Sequence, residues 1–178
     1  MSDEEEVEAL VAAVEAGTDT VAVPEELLQE PEAPAPPAAR SLYAQIVHMT
    51  IAEKIKLALR GNKDARSILI RDTNKLIRRL VLLNPRMTDG EVVAVARNRS
   101  ADEELLRLIT EKREWIRNYQ VRLALATNPK TPLVLALKQL GSLGERDLRQ
   151  IAKSRNVSQT VAAQARRLIM ASGRSQST

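Results

Sequence analysis

The chain has 178 residues, 44% apolar and 28% charged, which suits one ordinary domain and a tail rather than two full domains. The net charge of +4 averages unlike parts: residues 1–40 hold 11 acidic groups against one basic, whereas residues 41–178 hold 26 basic and 12 acidic, a net of +14. Zero cysteines exclude disulfides, thiolate metal sites, iron–sulfur clusters and cysteine nucleophiles, and three aromatics (Tyr43, Trp115, Tyr119) are a poor supply for a β-sandwich, so all-α is the expected class.

No apolar run approaches the roughly 18 to 20 residues of a membrane span, and the start Met1-Ser2-Asp3-Glu4 has the wrong charge for a secretory signal. A soluble, cytoplasmic protein with no membrane partner is expected. Val7, Leu10, Val11 and Val14 fall at helical spacing, so Asp3 to Glu15 can form one short amphipathic helix with a Glu-rich outer face. Residues 31–40 hold four of the eight prolines and read as an extended linker. Residues 1–40 are therefore expected to be an acidic, disordered tail and linker, with too little apolar surface to join the core; the alternative is a peptide that docks on a partner or on the basic domain of 41–178.

From Ser41 the dominant signal is a series of helix starts. Thr50-Ile-Ala-Glu53, Thr88-Asp-Gly-Glu91, Ser100-Ala-Asp-Glu103 and Ser142-Leu-Gly-Glu145 all fit the capping-box spacing, and Thr131-Pro132 adds a start with proline at the first helical position. Gly61, Asn84-Pro85, Asn98, Asn128-Pro129, Gly141 and Gly173 supply stops. The pattern predicts short helices near 41–48, 51–60, 63–71, 74–83, 89–97, 101–110, 113–126, 132–140, 143–153 and 159–171. Such lengths suit stacked helical pairs better than a four-helix bundle.

Leu80-Val-Leu-Leu-Asn-Pro-Arg86 recurs as Ala124-Leu-Ala-Thr-Asn-Pro-Lys130, and Val92-Val-Ala-Val-Ala-Arg-Asn-Arg99 matches Leu148-Arg-Gln-Ile-Ala-Lys-Ser-Arg155. The segment Val121-Arg-Leu-Ala-Leu-Ala-Thr-Asn-Pro-Lys-Thr-Pro-Leu-Val-Leu135 resembles the leucine-rich repeat variant family and, more loosely, HEAT-type repeats; the wider pattern is similar to small bacterial helical-repeat proteins. The resemblance implies a curved α-solenoid of short stacked helices that binds partners. The cysteine motif that accompanies iron–sulfur clusters in that family is lacking, so the resemblance brings no cofactor with it.

Catalysis is hard to build from these residues. The one histidine, His48, sits between Val47 and Met49 ahead of a cap and is expected to be structural or solvated; a His-based triad or multi-histidine metal site needs more. Glu53, Glu91, Glu103 and Glu145 have capping assignments, and no Gly-rich phosphate loop occurs. A HEAT-like base-modifying enzyme would need an aromatic platform, for which Trp115 with Arg113, Arg117 and Tyr119 is the place to look; Trp115 reads first as a packing anchor. The basic excess is the remaining clue. Arg97, Arg99, Lys153 and Arg155 stand at corresponding helix ends, and Arg78, Arg122 and Lys130 lie beyond them, together the expected partner-binding set. The expected function is a non-enzymatic scaffold or adaptor that needs no cofactor or metal and binds an acidic protein through this basic face. The alternative is a nucleic-acid or ribosome-associated protein that contacts the phosphate backbone.

Overall fold

The computed structural model describes residues 3–30 and 39–175, and these are helical, with no strand among them. They form two compact units, Met1–Met87 and Thr88–Thr178. The first holds α1 (Asp3–Ala16), a 3-10 turn at Glu25–Leu27, α2 (Ala39–Val47), α3 (Ile51–Arg60), α4 (Lys63–Leu69) and α5 (Lys75–Val81). The second holds α6 (Asp89–Arg97), α7 (Glu103–Glu111), α8 (Arg113–Arg117), α9 (Tyr119–Thr127), α10 (Leu133–Leu140), α11 (Glu145–Lys153) and α12 (Gln159–Ser175). Among the described residues no helix is long and apolar enough to cross a membrane.

Two of the four expected capping boxes form, at Thr50–Glu53 and Thr88–Glu91. The other two are displaced by local competition. Ser100 donates its N–H to the Asn98 side chain, 2.9 Å, and α7 starts only at Glu103 behind Asp102. Ser142 donates its hydroxyl to the Gln139 carbonyl, 2.8 Å, so it closes α10 instead of opening α11. Pro132 stands at the cap of α10, one residue before the first helical position. The helix expected over 113–126 is broken at Asn118, whose side chain accepts from the Gln120 N–H, 2.9 Å, and restarts the chain as α9.

The helix pairs include α3 with α5, α6 with α9, α9 with α10, and α11 with α12. The first two pairs are tied at one end by the same device. Asn84, 3% exposed, donates its amide to the Ala58 and Gly61 carbonyls at the end of α3, 3.0 and 3.2 Å. Asn128, 5% exposed, donates to the Ala96 and Asn98 carbonyls at the end of α6, 2.7 and 3.0 Å. In each turn the asparagine Oδ1 accepts from the N–H two residues on, at Arg86 or Lys130, and the backbone closes from Met87 to Asn84 or from Thr131 to Asn128. The proline between has no N–H to satisfy and holds the asparagine extended. At the end of α3 the packing is tight: a Cβ on Gly61 would lie 2.3 Å from the Leu57 carbonyl oxygen, so only glycine fits.

Where composition leads one to expect a free tail, residues 3–30 pack on residues 41–87. Val14, fully buried, and Leu27, 3% exposed, join Ile46, Ile55, Leu59 and Leu69 in one core, with Val7, Leu10 and Val11 against it. Gly17 at φ +74° ends α1 in the left-handed conformation that glycine adopts freely. Polar contacts complete the join. The Lys56 ammonium lies 2.7 Å from Asp19 and holds its carboxyl below the usual carboxylate range, so this contact contributes at neutral pH and fades as the pH falls through that lowered value. Arg66, 2% exposed, pairs with Glu30 at 2.8 Å. The short amphipathic helix becomes stable because its apolar stripe finds a core, which is how most helices of this length persist. The domain boundary expected at residue 40 therefore does not separate residues 3–30 from the core; most of the linker expected over 31–40 lies outside the described residues.

Removing residues 1–30 is expected to lower the melting temperature by more than about 5 °C, the shift that about 1 kcal/mol produces in a small domain, since it uncovers the core and takes Glu30 from a buried guanidinium. Leu27→Ala should cost about 2 to 5 kcal/mol in urea denaturation. An unchanged melting temperature in the truncated chain would show that the segment does not pack.

Asn128→Ala is expected to destabilise by about 1 to 3 kcal/mol, because two carbonyls lose their donor in a buried place. Asn128→Asp should cost at least as much, since a carboxylate would face those same oxygens; denaturant titration of both variants checks the order.

Candidate partner-binding groove

In the second unit two adjoining cavities, of about 270 and 220 Å³, open at the ends of α6, α9 and α11, and share Arg97, Ala124, Thr127 and Ser154 as lining. They make one groove. Its apolar part comes from Leu123, Ala124, Ile151 and Val157, and its polar part from Arg97, Arg99, Asn128, Ser154 and Asn156.

Local sequence explains why these groups converge. α6 ends at Arg97 with Asn98 as its cap, and α11 ends at Lys153 with Ser154 as its cap. Asn98 Oδ1 accepts from the Ser100 N–H, 2.9 Å, and Ser154 Oγ accepts from the Asn156 N–H, 3.1 Å. Both chain turns thus use a short polar side chain bonded two residues ahead, at matching positions of the two similar segments. Arg97 is steadied from α9 by Gln120, which accepts from its Nη2 at 2.8 Å.

Of the seven basic residues expected to bind a partner, Arg97 and Arg99 line the groove. Lys153 and Arg155 are exposed at the end of α11, each next in sequence to the lining residue Ser154. Lys130 is exposed in the Asn128 turn. Arg122 is half-buried and makes contacts within the fold: its Nη1 donates to the Ile116 and Arg117 carbonyls, 3.1 and 3.4 Å, and its guanidinium lies 5.5 Å from the centre of the Tyr119 ring. Arg78 is half-buried on α5 in the first unit. The ion pairs of the second unit include Arg107–Glu103 and Arg149–Glu145, and among the described residues Arg97, Arg99, Lys153 and Arg155 face no carboxylate at pairing distance.

One carboxylate, Asp147, does line the groove. Tyr119 donates its hydroxyl to Asp147 in a short hydrogen bond, while the Gly144 N–H donates to the same phenol oxygen at 3.1 Å. The bond to Asp147 raises the Tyr119 pKa above the ordinary phenol value, with burial adding to it and the Gly144 N–H opposing it. Trp115 is buried, and the Lys112 ammonium lies 4.3 Å from its ring centre; burial there pushes the Lys112 pKa down. Trp115 is thus the packing anchor that its sequence position suggests. His48 is exposed just after α2.

The apolar floor of Leu123, Ile151 and Val157 was not visible in the sequence. The signal that leads to it is the pair of small polar residues, Asn98 and Ser154, at the same step of the two similar segments. No protein-family model matches the chain, and comparison with curated proteins and with solved structures also finds no match.

Because the raised Tyr119 pKa reflects a bond that only the neutral phenol donates, its contribution to stability is whole below pH 10.0 and is lost as the pH rises through the raised value. In a Tyr43→Phe background, tyrosinate absorbance should rise only above that pH, and Asp147→Asn should bring the transition down. An unmoved transition in Asp147→Asn would show that the bond does not form in solution.

Proposed function

We propose that the chain is a non-enzymatic helical-repeat interaction module that binds an acidic protein partner through the basic groove of its second unit. The observation that carries this reading is the set of cations at the ends of α6 and α11, Arg97, Arg99, Lys153 and Arg155, next to an apolar floor and outside any ion pair among the described residues. Charge supports it as well. Residues 88–178 hold 16 Lys and Arg against 9 Asp and Glu, whereas residues 1–87 hold 11 against 14. The basic excess belongs to the unit that has the groove.

The solenoid arrangement and the repeat are part of the same proposal. They are supported by the Asn-Pro turn, which occurs once in each unit with the same amide donors, the same Oδ1 acceptor and the same backbone closure. A soluble, cytoplasmic setting is the one such a module suits. Repeats of helical pairs commonly present grooves to partners, and fold alone does not say which.

Replacing Arg97, Arg99, Lys153 and Arg155 together with Glu should leave the circular dichroism spectrum that of a folded protein while abolishing binding to the acidic partner, since exposed charges add little stability yet steer association strongly. Full binding by this variant would place the interaction surface elsewhere. Binding of the parent protein to arbitrary duplex DNA, falling steeply with salt and with a slope reduced by about 0.9 for each contact removed, would replace the protein partner with a nucleic acid.

A further inference from the structure

We infer that the groove takes an acidic, leucine-containing linear segment, of the same chemistry as this chain's own Glu25–Glu30. The inference rests on the interaction reading above and names the kind of partner. Its basis is the first unit, where a segment of that composition is already seated at the Asn-Pro end of a helix pair. Its backbone carbonyls are taken one by one: Leu27 accepts from the Asn62 N–H at 2.7 Å, Glu26 and Gln29 from the Asn62 amide at 2.8 and 2.9 Å, and Leu28 from Arg86 of the Asn84 turn. The Glu30 carboxylate takes the Arg66 guanidinium at 2.8 Å and the Lys63 N–H at 3.0 Å. Leu27 is buried and Leu28 packs against the same core. Three kinds of group thus receive the segment: an amide or cation for its carbonyls, a guanidinium for its carboxylate, and an apolar floor for its leucines.

The second unit offers the same three kinds at the corresponding end of the α6 and α9 pair. Lys130 stands in the Asn128 turn where Arg86 stands in the Asn84 turn. Arg97 and Arg99 line the groove, with Asn128, Ser154 and Asn156 as polar neighbours, and the half-buried Leu123 and Val157 supply its apolar lining, next to Ile151 of the core. A phosphate backbone would use the cations and leave that floor without an apolar partner. A peptide with leucines between glutamates uses both, which is why a protein segment is the better occupant.

The probe is a fluorescein-labelled peptide with the sequence of residues 22–32, Ala-Val-Pro-Glu-Glu-Leu-Leu-Gln-Glu-Pro-Glu, titrated with the full chain and followed by anisotropy. Two comparison probes are the same peptide with both leucines replaced by serine, and a short labelled DNA duplex. The expected result is saturable binding of the first peptide, at least about tenfold tighter than that of its serine form, in line with the burial of one leucine side chain. Binding should be lost in Arg97→Glu/Arg99→Glu and weakened in Arg97→Ala/Arg99→Ala, a gentler pair should the first fail to fold, and should be unchanged in Arg86→Ala. Equal binding of the two peptides would overturn the inference, leaving a groove that reads charge alone, and would leave the interaction reading standing. Loss in Arg86→Ala with binding intact in both Arg97/Arg99 variants would also overturn it, because the probe would then be exchanging with the segment of the first unit. Binding of the duplex alone would remove both the inference and the reading it rests on.

Discussion

The structure depends on buried asparagines that satisfy the ends of other helices. The last turn of any helix leaves carbonyls with no partner inside it, and burying them unpaired costs about as much as a lost hydrogen bond each. Asn84 and Asn128 answer this for α3 and α6, each using both amide hydrogens on two carbonyls at the end of that helix. At α11 the donor is Arg166, whose Nη2 meets the Ala152 carbonyl at 2.9 Å. The bond is short and directional, so it fixes how closely the two helix ends approach. It also fixes where the charge emerges: Ala96 gives its carbonyl to Asn128, and Arg97 is the next residue.

Charge is handled differently in the two units. In the first, an acidic segment of the same chain lies against basic residues: Asp19 meets Lys56, Glu30 meets Arg66, and the Glu15 carbonyl accepts from Arg60 at 3.0 Å. In the second, Arg107–Glu103 and Arg149–Glu145 are exposed pairs one helical turn apart, and such pairs contribute little. The cations at the ends of α6 and α11 are stabilised by the helix C-termini rather than by carboxylates, which leaves them able to meet charge from outside.

Much of this was legible in the sequence, and the failures share a cause. The boundaries of α3 and α6 followed from Thr50–Glu53 and Thr88–Glu91, because a capping box is closed within four residues. The spacing at Ser100 and Ser142 was the same, but each serine had a nearer partner, Asn98 or Gln139, which spacing does not register. Asn118 looked like an interior helix residue and is a helix start. Residues 3–30 looked too polar to join a core because half their positions are polar; what decides is that Val14 and Leu27 reach one. For the groove, the positions of Arg97 and Arg99 at a helix end were readable, and so was the Asn-Pro repetition. The floor was not, since Leu123, Ile151 and Val157 come from different elements and meet only through packing. The bond from Arg122 to the Ile116 carbonyl was likewise invisible in the sequence, where Arg122 is simply one more cation.

The relative sizes of the forces say what such a groove can discriminate. An exposed ion pair contributes about 0 to 1 kcal/mol, and each arginine at a helix C-terminus already gains about 0.3 to 1 kcal/mol from the dipole it faces. Two arginines therefore supply roughly a tenfold preference for an acidic ligand, and salt screens much of it. Burying one leucine side chain contributes about 1.5 to 3 kcal/mol, which salt does not screen. On the proposed reading, apolar contact would add affinity that salt does not screen, and the cations the rate of encounter and the choice among apolar segments. On the proposed reading Asp147, which accepts from Tyr119 and lines the same cavity as Arg97, would sharpen that choice by adding a negative charge to the groove. A uniformly acidic ligand would be opposed by that carboxylate, whereas a segment that alternates apolar and acidic side chains would bring fewer charges near it. On that reading the groove would favour a ligand with a pattern over one with only a charge.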